Sequence, residues 1–384
     1  MTESHAVDLD GKFAQELTRR VKRLQEWLAS KQLEAAVFLK EDMELNNYNY
    51  IYYGGNLASE EYSALVVDTS GNTSAVVQEH AFERVESSGA FLKVVGTRQS
   101  TDHLISNVKS LTRGYRVGAV RVDGASLTAN ASTKMDGIGI KADKSLTRFV
   151  YSERSRKSSY EIGQIERAVK IGLRALRTTI DQLAVGQKVN EIAVSLKKSM
   201  LGEGAVSESF ATDVMIRRGV SEREVRTLER GSLLLFDFGA RLESQYLSDM
   251  GRTVPYQANA AARDFMADVN EIKRLGLRKI RAGRTGNDVR RGVDKVIEEF
   301  GYRSVHRPGH QIGLNVHEPY QPDLAYGEEN RVALREGNVV TWEPGIGLKD
   351  SKLAPIRFGL AHMEDMVLVG QDSKMLGNVP LELR

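Results

Sequence analysis

At 384 residues, 41% apolar and 27% charged, the chain has the makeup of a globular protein and the length for two domains with cores of their own. Its 54 lysines and arginines stand against 51 aspartates and glutamates, a net charge of +3, which argues against a dedicated nucleic-acid binder. The absence of cysteine excludes disulfides and thiolate metal sites outright. No apolar run approaches the roughly 18 residues a membrane helix needs. The polar start MTESHAVDLDGK lacks a signal peptide's apolar core. The expectation is a soluble, cytoplasmic protein with neither nucleic-acid nor membrane partners.

In chain order, Lys12 to Ser30 places Leu17, Val21, Leu24 and Leu28 at helical spacing. AAVFLK reads as a strand. Tyr48, Tyr50, Tyr52 and Tyr53, around Ile51, read as an aromatic strand ending at Gly54-Gly55, in preference to an aromatic binding surface. The short runs SALVVDTSG, TSAVVQEH, LKVVG and RVGAVRVDG are β-rich and closed by Gly, Asp or Ser, with helical stretches between them. A mixed α/β domain follows, and His80 and His103 read as surface residues. Near Tyr151 the chain becomes charged and then strongly helical, so domains over 1–152 and 153–384 are expected. Ser158 with Glu161 three residues on is a capping box at the start of a long helix. Helices are expected to about Leu183, over Asn190–Leu201, over Ala260–Ala282 and over Thr285–Phe300. Alternating with paired strands that carry acids, they point to an α+β fold with a curved antiparallel sheet.

The candidate chemistry begins in LLLFDFGARLESQYLSD, where Asp237 and Asp249 fall on what reads as two neighbouring strands of a hairpin. Two like charges held close in a core are costly unless a cation or a proton separates them. Downstream lie His310 in HRPGHQIGLNVHEPY, Glu343 in VVTWEPGIG and Glu364 in AHMEDMVLV. Two Asp, two Glu and one His form an oxygen-rich set suited to a pair of hard or borderline divalent ions. Any one of these acids alone is more simply a loop or cap residue, and a lone His310 a satisfied core histidine. Together, with four of the seven histidines between 306 and 362, they point to metal binding.

The order and contexts DFG, YLSDMGRT, HRPGHQIGL with HE, EPG and MED resemble the pita-bread metallohydrolases over nearly the whole chain. Within them, the N-terminal extension is similar to the aminopeptidase P, prolidase and creatinase branch. The resemblance implies a C-terminal pita-bread fold with a smaller creatinase-type α/β N-terminal domain. It further implies two divalent ions (Mn, Co, Fe or Zn) held by Asp237, Asp249, His310, Glu343 and Glu364, with Asp249 and Glu364 bridging both. Through it His306 and His317 become the histidines that contact substrate, and Glu343 and Glu364 the groups that move protons. The implied reaction is hydrolysis of Xaa-Pro bonds in short proline-containing peptides by a hydroxide shared between the metals. The implied assembly is a homodimer in which the N-terminal domain caps the partner's site.

Three positions depart from the peptidase pattern. No histidine lies between His103 and His306, where relatives carry one about 17 residues before the first aspartate. His362 stands where they carry an arginine, and Gly347 where they carry an aromatic. The Asp237–Asp249 interval is also one residue longer than the family pattern leads one to expect, which a bulge or a longer turn would absorb. Arg217 or Arg357 is a candidate for the missing charge. Glu318 reads as an acceptor that orients a histidine, and Phe210 and Met215 as pocket or core residues. The departures keep two alternatives open: a creatinase-like C–N hydrolase of a small non-peptide molecule, and a catalytically silent binding module.

Overall fold

The computed structural model describes residues 11–41, 48–55, 62–116, 118–218, 224–257, 259–320, 322–325, 327, 329–348 and 360–377. The chain divides into two compact units, Met1–Arg154 and Ser155–Arg384.

In the first unit, α1 (Gly11–Ser30) buries Leu24 and Leu28 as its helical spacing predicts. It leads into β1 (Ala35–Lys40), α2 (Tyr48–Gly54), β2 (Ser63–Asp68) and β3 (Thr73–Gln78). Then come α3 (Phe82–Ser87), β4 (Lys93–Thr97), α4 (Thr101–Leu111), β5 (Val120–Val122), α5 (Ala129–Gly137), β6 (Lys141–Ala142) and α6 (Lys144–Ser155). Among the described residues these strands form one mixed sheet in the order β4-β3-β2-β1-β5-β6. Its core includes Val37, Leu39, Val66, Leu104, Val108 and Met135. His80 and His103 are exposed, as expected of isolated polar histidines.

The tyrosine-rich stretch is a helix, not the strand its composition suggested. All seven residues of α2 are buried, so no exposed face marked the period. Its tertiary contacts explain the outcome: Arg20 lies 4.1 Å over the Tyr52 ring and donates to the Tyr52 carbonyl, while Tyr53 stacks on Phe38 at 4.9 Å. Packing of this kind overrides β propensity.

The second unit opens with α7 (Ser159–Asp181), whose capping box is formed in both directions between Ser158 and Glu161. Glu161 also accepts from the Tyr246 hydroxyl at 2.6 Å. There follow α8 (Val189–Gly202), β7 (Ser207–Glu208), β8 (Asp213–Arg217), β9 (Glu224–Val225), β10 (Leu233–Phe238), β11 (Ala240–Arg241) and β12 (Met250–Pro255). The remainder is α9 (Ala260–Leu277), α10 (Gly286–Glu299), β13 (Tyr302–Ser304), β14 (Val339–Trp342), β15 (Ile346–Leu348), β16 (Asp365–Leu368) and β17 (Lys374–Met375). Helix α9 stops short of Ala282 because a turn closes after it and the Ala282 N–H is taken by the Gly370 carbonyl.

Antiparallel sheets β12-β10-β8-β9 and β14-β16-β17 enclose a core with α9 and α10 that includes Leu233, Leu235, Phe265, Val269, Ile272, Val293, Trp342 and Val367. Within β10, residues alternate faces, so Asp237 continues the row begun by core residues Leu233 and Leu235 to the strand's end. Helices and antiparallel sheets around this core make the α+β fold.

Candidate active site and metal centre

The site residues come from four stretches of chain, each fixed by backbone pairing. Asp237 sits in β10 opposite Gly251 of β12. Asp249 lies one residue before β12 rather than on it, a correction to the simple hairpin. The long interval is taken up by β11 and a tight loop in which Leu242 N–H reaches the Tyr246 carbonyl and Gln245 adopts φ 67°. A longer turn, not a bulge, absorbs the extra residue.

His306, His310 and His317 lie in the irregular segment after β13. The expected strand after His310 is reduced to a single bridge, Gln311 to Val340. That segment is locked to β14: the His310 N–H donates to Thr341 Oγ1, the Thr341 N–H to the His310 carbonyl, and the Glu343 N–H to the Pro308 carbonyl. Glu364 joins the first sheet through reciprocal backbone bonds with Gly251.

This framework brings together the seven residues expected to bind metal or take part in catalysis. Asp237, Asp249, His306, His310, His317, Glu343 and Glu364 line a cavity of about 470 Å³ with Phe210, Arg307, Val316 and His362. His310 Nε2 stands 3.5 Å from Asp249 Oδ2, 3.7 Å from Glu343 Oε1 and 3.9 Å from Glu364 Oε1. Its Nδ1 faces the Gln311 carbonyl at 3.2 Å, so Nδ1–H donates there and Nε2 is left to face the carboxylates. Two donor clusters result, Asp249–His310–Glu364 and Asp237–His362–Glu364.

Of the other candidates, Met215 belongs to the core. Glu318 is buried and accepts from the Leu314 and Asn315 N–H groups, so it shapes the loop carrying His317. Arg217 is buried and donates to the Leu360 carbonyl, so Arg307, which sequence reasoning passed over, is the arginine in the cavity lining. Arg357 lies outside the described residues. Sequence reasoning noted His362 only as a departure, although its i, i+2 spacing to Glu364 next to a strand was a usable signal.

The electrostatics show a site poised for cations. Burial, then the charges of Asp249, Glu343 and Asp237, push Glu364 well above the usual carboxylate range. Burial and Asp249 push Glu343 up to about 7 against the pull of His310. Burial would lower His310, but its contact with Asp249 and the charges of Asp249 and Glu343 outweigh that and raise it. Glu364 Oε1 is sealed from solvent without a hydrogen-bond partner. A carboxylate atom in that position, among acids held up by mutual repulsion, fits a divalent ion.

Two more of the cavity's four histidines, His317 and His306, are held neutral and differently oriented. Although the residue is exposed, desolvation of its ring, with His310 and Arg307 beside it, lowers His317 to about 4. Its ring stacks on His310 at 3.9 Å, and Arg307 Nη2 meets its Nδ1 at 2.6 Å. Burial also lowers His306, whose Nδ1–H donates to the Arg307 carbonyl at 2.7 Å.

A pita-bread α+β fold that gathers buried acids and imidazoles round one cavity defines a hydrolase of the metal-dependent class. The sequence pattern of metallopeptidase family M24 matches residues 163–371, more than half the chain, and the protein belongs to that family. The chain is similar to the Xaa-Pro dipeptidase of Pyrococcus furiosus, 29% identical over 254 residues, covering 64% of this chain and 69% of the relative. It is likewise similar to the Xaa-Pro dipeptidase of Lactobacillus delbrueckii subsp. lactis, 29% identical over 285 residues, 69% of this chain and 74% of the other. In fold it matches the X-Pro aminopeptidase from Thermotoga maritima MSB8 with a TM-score of 0.78 at 23% identity, over 94% of this chain and 98% of that one. The family makes the protein a peptidase that uses divalent metal. No helix among the described residues is long and apolar enough to cross a membrane.

Proposed function

We propose that the protein hydrolyses Xaa-Pro bonds in short peptides with two divalent ions held by Asp237, Asp249, His310, Glu343 and Glu364. The observation that carries this reading is the division of Glu364, whose Oε1 faces His310 and whose Oε2 faces the Asp237 side of the cavity. One carboxylate thus belongs to two donor clusters at once. Divalent ions bound there, whether Mn, Co, Fe or Zn, would polarise the scissile carbonyl and make water nucleophilic at neutral pH.

The chain's own groups supply the rest. Glu343 and Glu364 hold the proton lost by the attacking water and return one to the leaving nitrogen. His317, with Nδ1 engaged by Arg307, presents Nε2–H to the carbonyl oxygen as negative charge develops there. His306, with its proton on Nδ1, presents Nε2 as an acceptor for a substrate N–H. A cavity of about 470 Å³ suits a dipeptide or the end of a longer peptide. Proline specificity rests on the curated relatives named Xaa-Pro dipeptidase. A 1–152 N-terminal domain, a homodimer and a cytoplasmic setting complete the reading by family likeness.

A second reading, C–N hydrolysis of a small non-peptide molecule, is favoured by His362 standing where peptidase relatives carry arginine. One panel separates the two: Xaa-Pro dipeptides and longer peptides after reconstitution with Mn or Co, beside an Asp249→Asn control. Metal-dependent cleavage that is lost in the control is expected. Full activity of the control would sink the metal assignment, and inertness despite stoichiometric metal would favour the non-peptide reading.

A further inference from the structure

We infer that His362 is itself a metal ligand, its Nε2 completing the site of Asp237 and Glu364, so that each of the two ions carries one imidazole nitrogen. The inference rests on the two-metal reading above and adds a ligand to it. His362 Nε2 stands 3.5 Å from Asp237 Oδ1 and 3.7 Å from Glu364 Oε2. These spacings match those of His310 to its carboxylates, 3.5 to 3.9 Å. Donor atoms that share one ion at about 2.0–2.2 Å stand about 3–3.5 Å apart, so modest contraction would close either cluster. By geometry, whatever qualifies His310 qualifies His362.

The surroundings are built to hold the ring there. The His362 N–H donates to Thr253 Oγ1 at 2.7 Å and that hydroxyl donates to the His362 carbonyl at 3.0 Å, which pins the residue to β12. Gly251, the register partner of Asp237, leaves the space the imidazole fills: a Cβ on it would lie 2.4 Å from His362 Cδ2 and 2.5 Å from Nε2. His362 is 4% exposed, so the nitrogen is withheld from water and directed at the acids.

A nitrogen in both sites has a chemical consequence. Carboxylate-only sites suit Mg and Mn, and imidazole draws a site toward Co, Fe and Zn. The protein should therefore prefer these borderline ions over Mn at both positions.

The decisive measurement is X-ray absorption fine structure on the wild-type protein loaded with two cobalt ions, which needs no variant to fold. An average of one imidazole per ion is expected. Half an imidazole per ion, from His310 alone, would overturn the inference and leave the two-metal reading standing. A protein that takes up no metal would overturn both.

Calorimetric cobalt titration of His362→Gln and His362→Arg gives a second readout. Both variants should weaken one ion by more than the roughly 10–100-fold that loss of an outer partner costs, and leave the other nearly unchanged. Arginine supplies a positive charge but cannot ligate, so wild-type affinity in His362→Arg would overturn the inference by showing that a cation between the two acids is enough.

Discussion

At the scale of single residues, the protonation of His317 follows from its neighbour. Arginine keeps its proton in proteins, so in the 2.6 Å contact between Arg307 Nη2 and His317 Nδ1 the imidazole must accept. The proton of neutral His317 then sits on Nε2, where an oxyanion can use it. Replacing Arg307 with Met removes the donor and lets the two tautomers mix. The expected result is a fall in kcat of about tenfold, below the 10²–10⁴-fold of outright loss of an acid or base. Nitrogen NMR of the His317 ring should show Nδ1 as an acceptor in the wild type and a mixture in Arg307→Met. Unchanged spectra and kcat would mean that the tautomer is set elsewhere. The seven candidates that line the cavity could be picked out in the sequence because each lies in a short string with its own turn or strand context. Sequence reading missed the parts played by His362 and Arg307, which depend on the bridge between Gly251 and Glu364 and on the path of a loop without regular structure.

At the scale of elements, the strand that carries Glu364 is clamped by the next residue. Asp365 of β16 accepts from Arg252 of β12 and Lys273 of α9, and all three side chains are buried. Burial would raise the Asp365 carboxyl, but the two cations outweigh it and hold it below its usual range. Burial brings Lys273 down to about 8 in spite of Asp365. Truncating Asp365 to Ala would leave two cations buried without their acid, at a cost of about 3–5 kcal/mol in urea denaturation. A cost under about 1 kcal/mol would show that water reaches the cluster. The same helix reaches the site by packing: a Cβ on Gly276 of α9 would lie 2.4 Å from Cζ2 of Trp342, the residue before Glu343. Gly276→Ala should therefore destabilise by about 1–3 kcal/mol through overpacking and lower activity by displacing Glu343. Peptidase assays beside melting curves would detect both effects, and an unaltered kcat would separate Glu343 from the packing of α9. The amphipathic helices and the Ser158 capping box were legible because one face meets water and the other the core. Helix α2 was not, because burial on every side erases that contrast.

At the scale of the whole molecule, the clustered acids should cost the metal-free protein stability as pH rises, a penalty its ions would relieve. Glu343 titrates near 4.5 when unfolded and is pushed up to about 7 in the fold. A raised folded pKa contributes stability that is full below about 4.5 and is lost as pH climbs through about 7. His310 is also raised, so its contribution fades in the same direction above its unfolded value of 6.5. The Glu343 shift alone corresponds to about 3 kcal/mol between pH 4.5 and 7, an upper figure because the acids titrate as a set. Glu343→Gln carries no titrating group there and isolates the effect from other carboxylates. After chelation, the variant should match the wild type near pH 4.5 and exceed it by up to about 3 kcal/mol at pH 8, measured by urea denaturation. Cobalt or manganese should reverse the order at pH 8, because the ions favour the ionised carboxylates and displace their protons. Equal stabilities at pH 8 without metal would show that the clustered acids are not in mutual conflict, and the case for cations at the site would then rest on the geometry of the two donor clusters and on family membership.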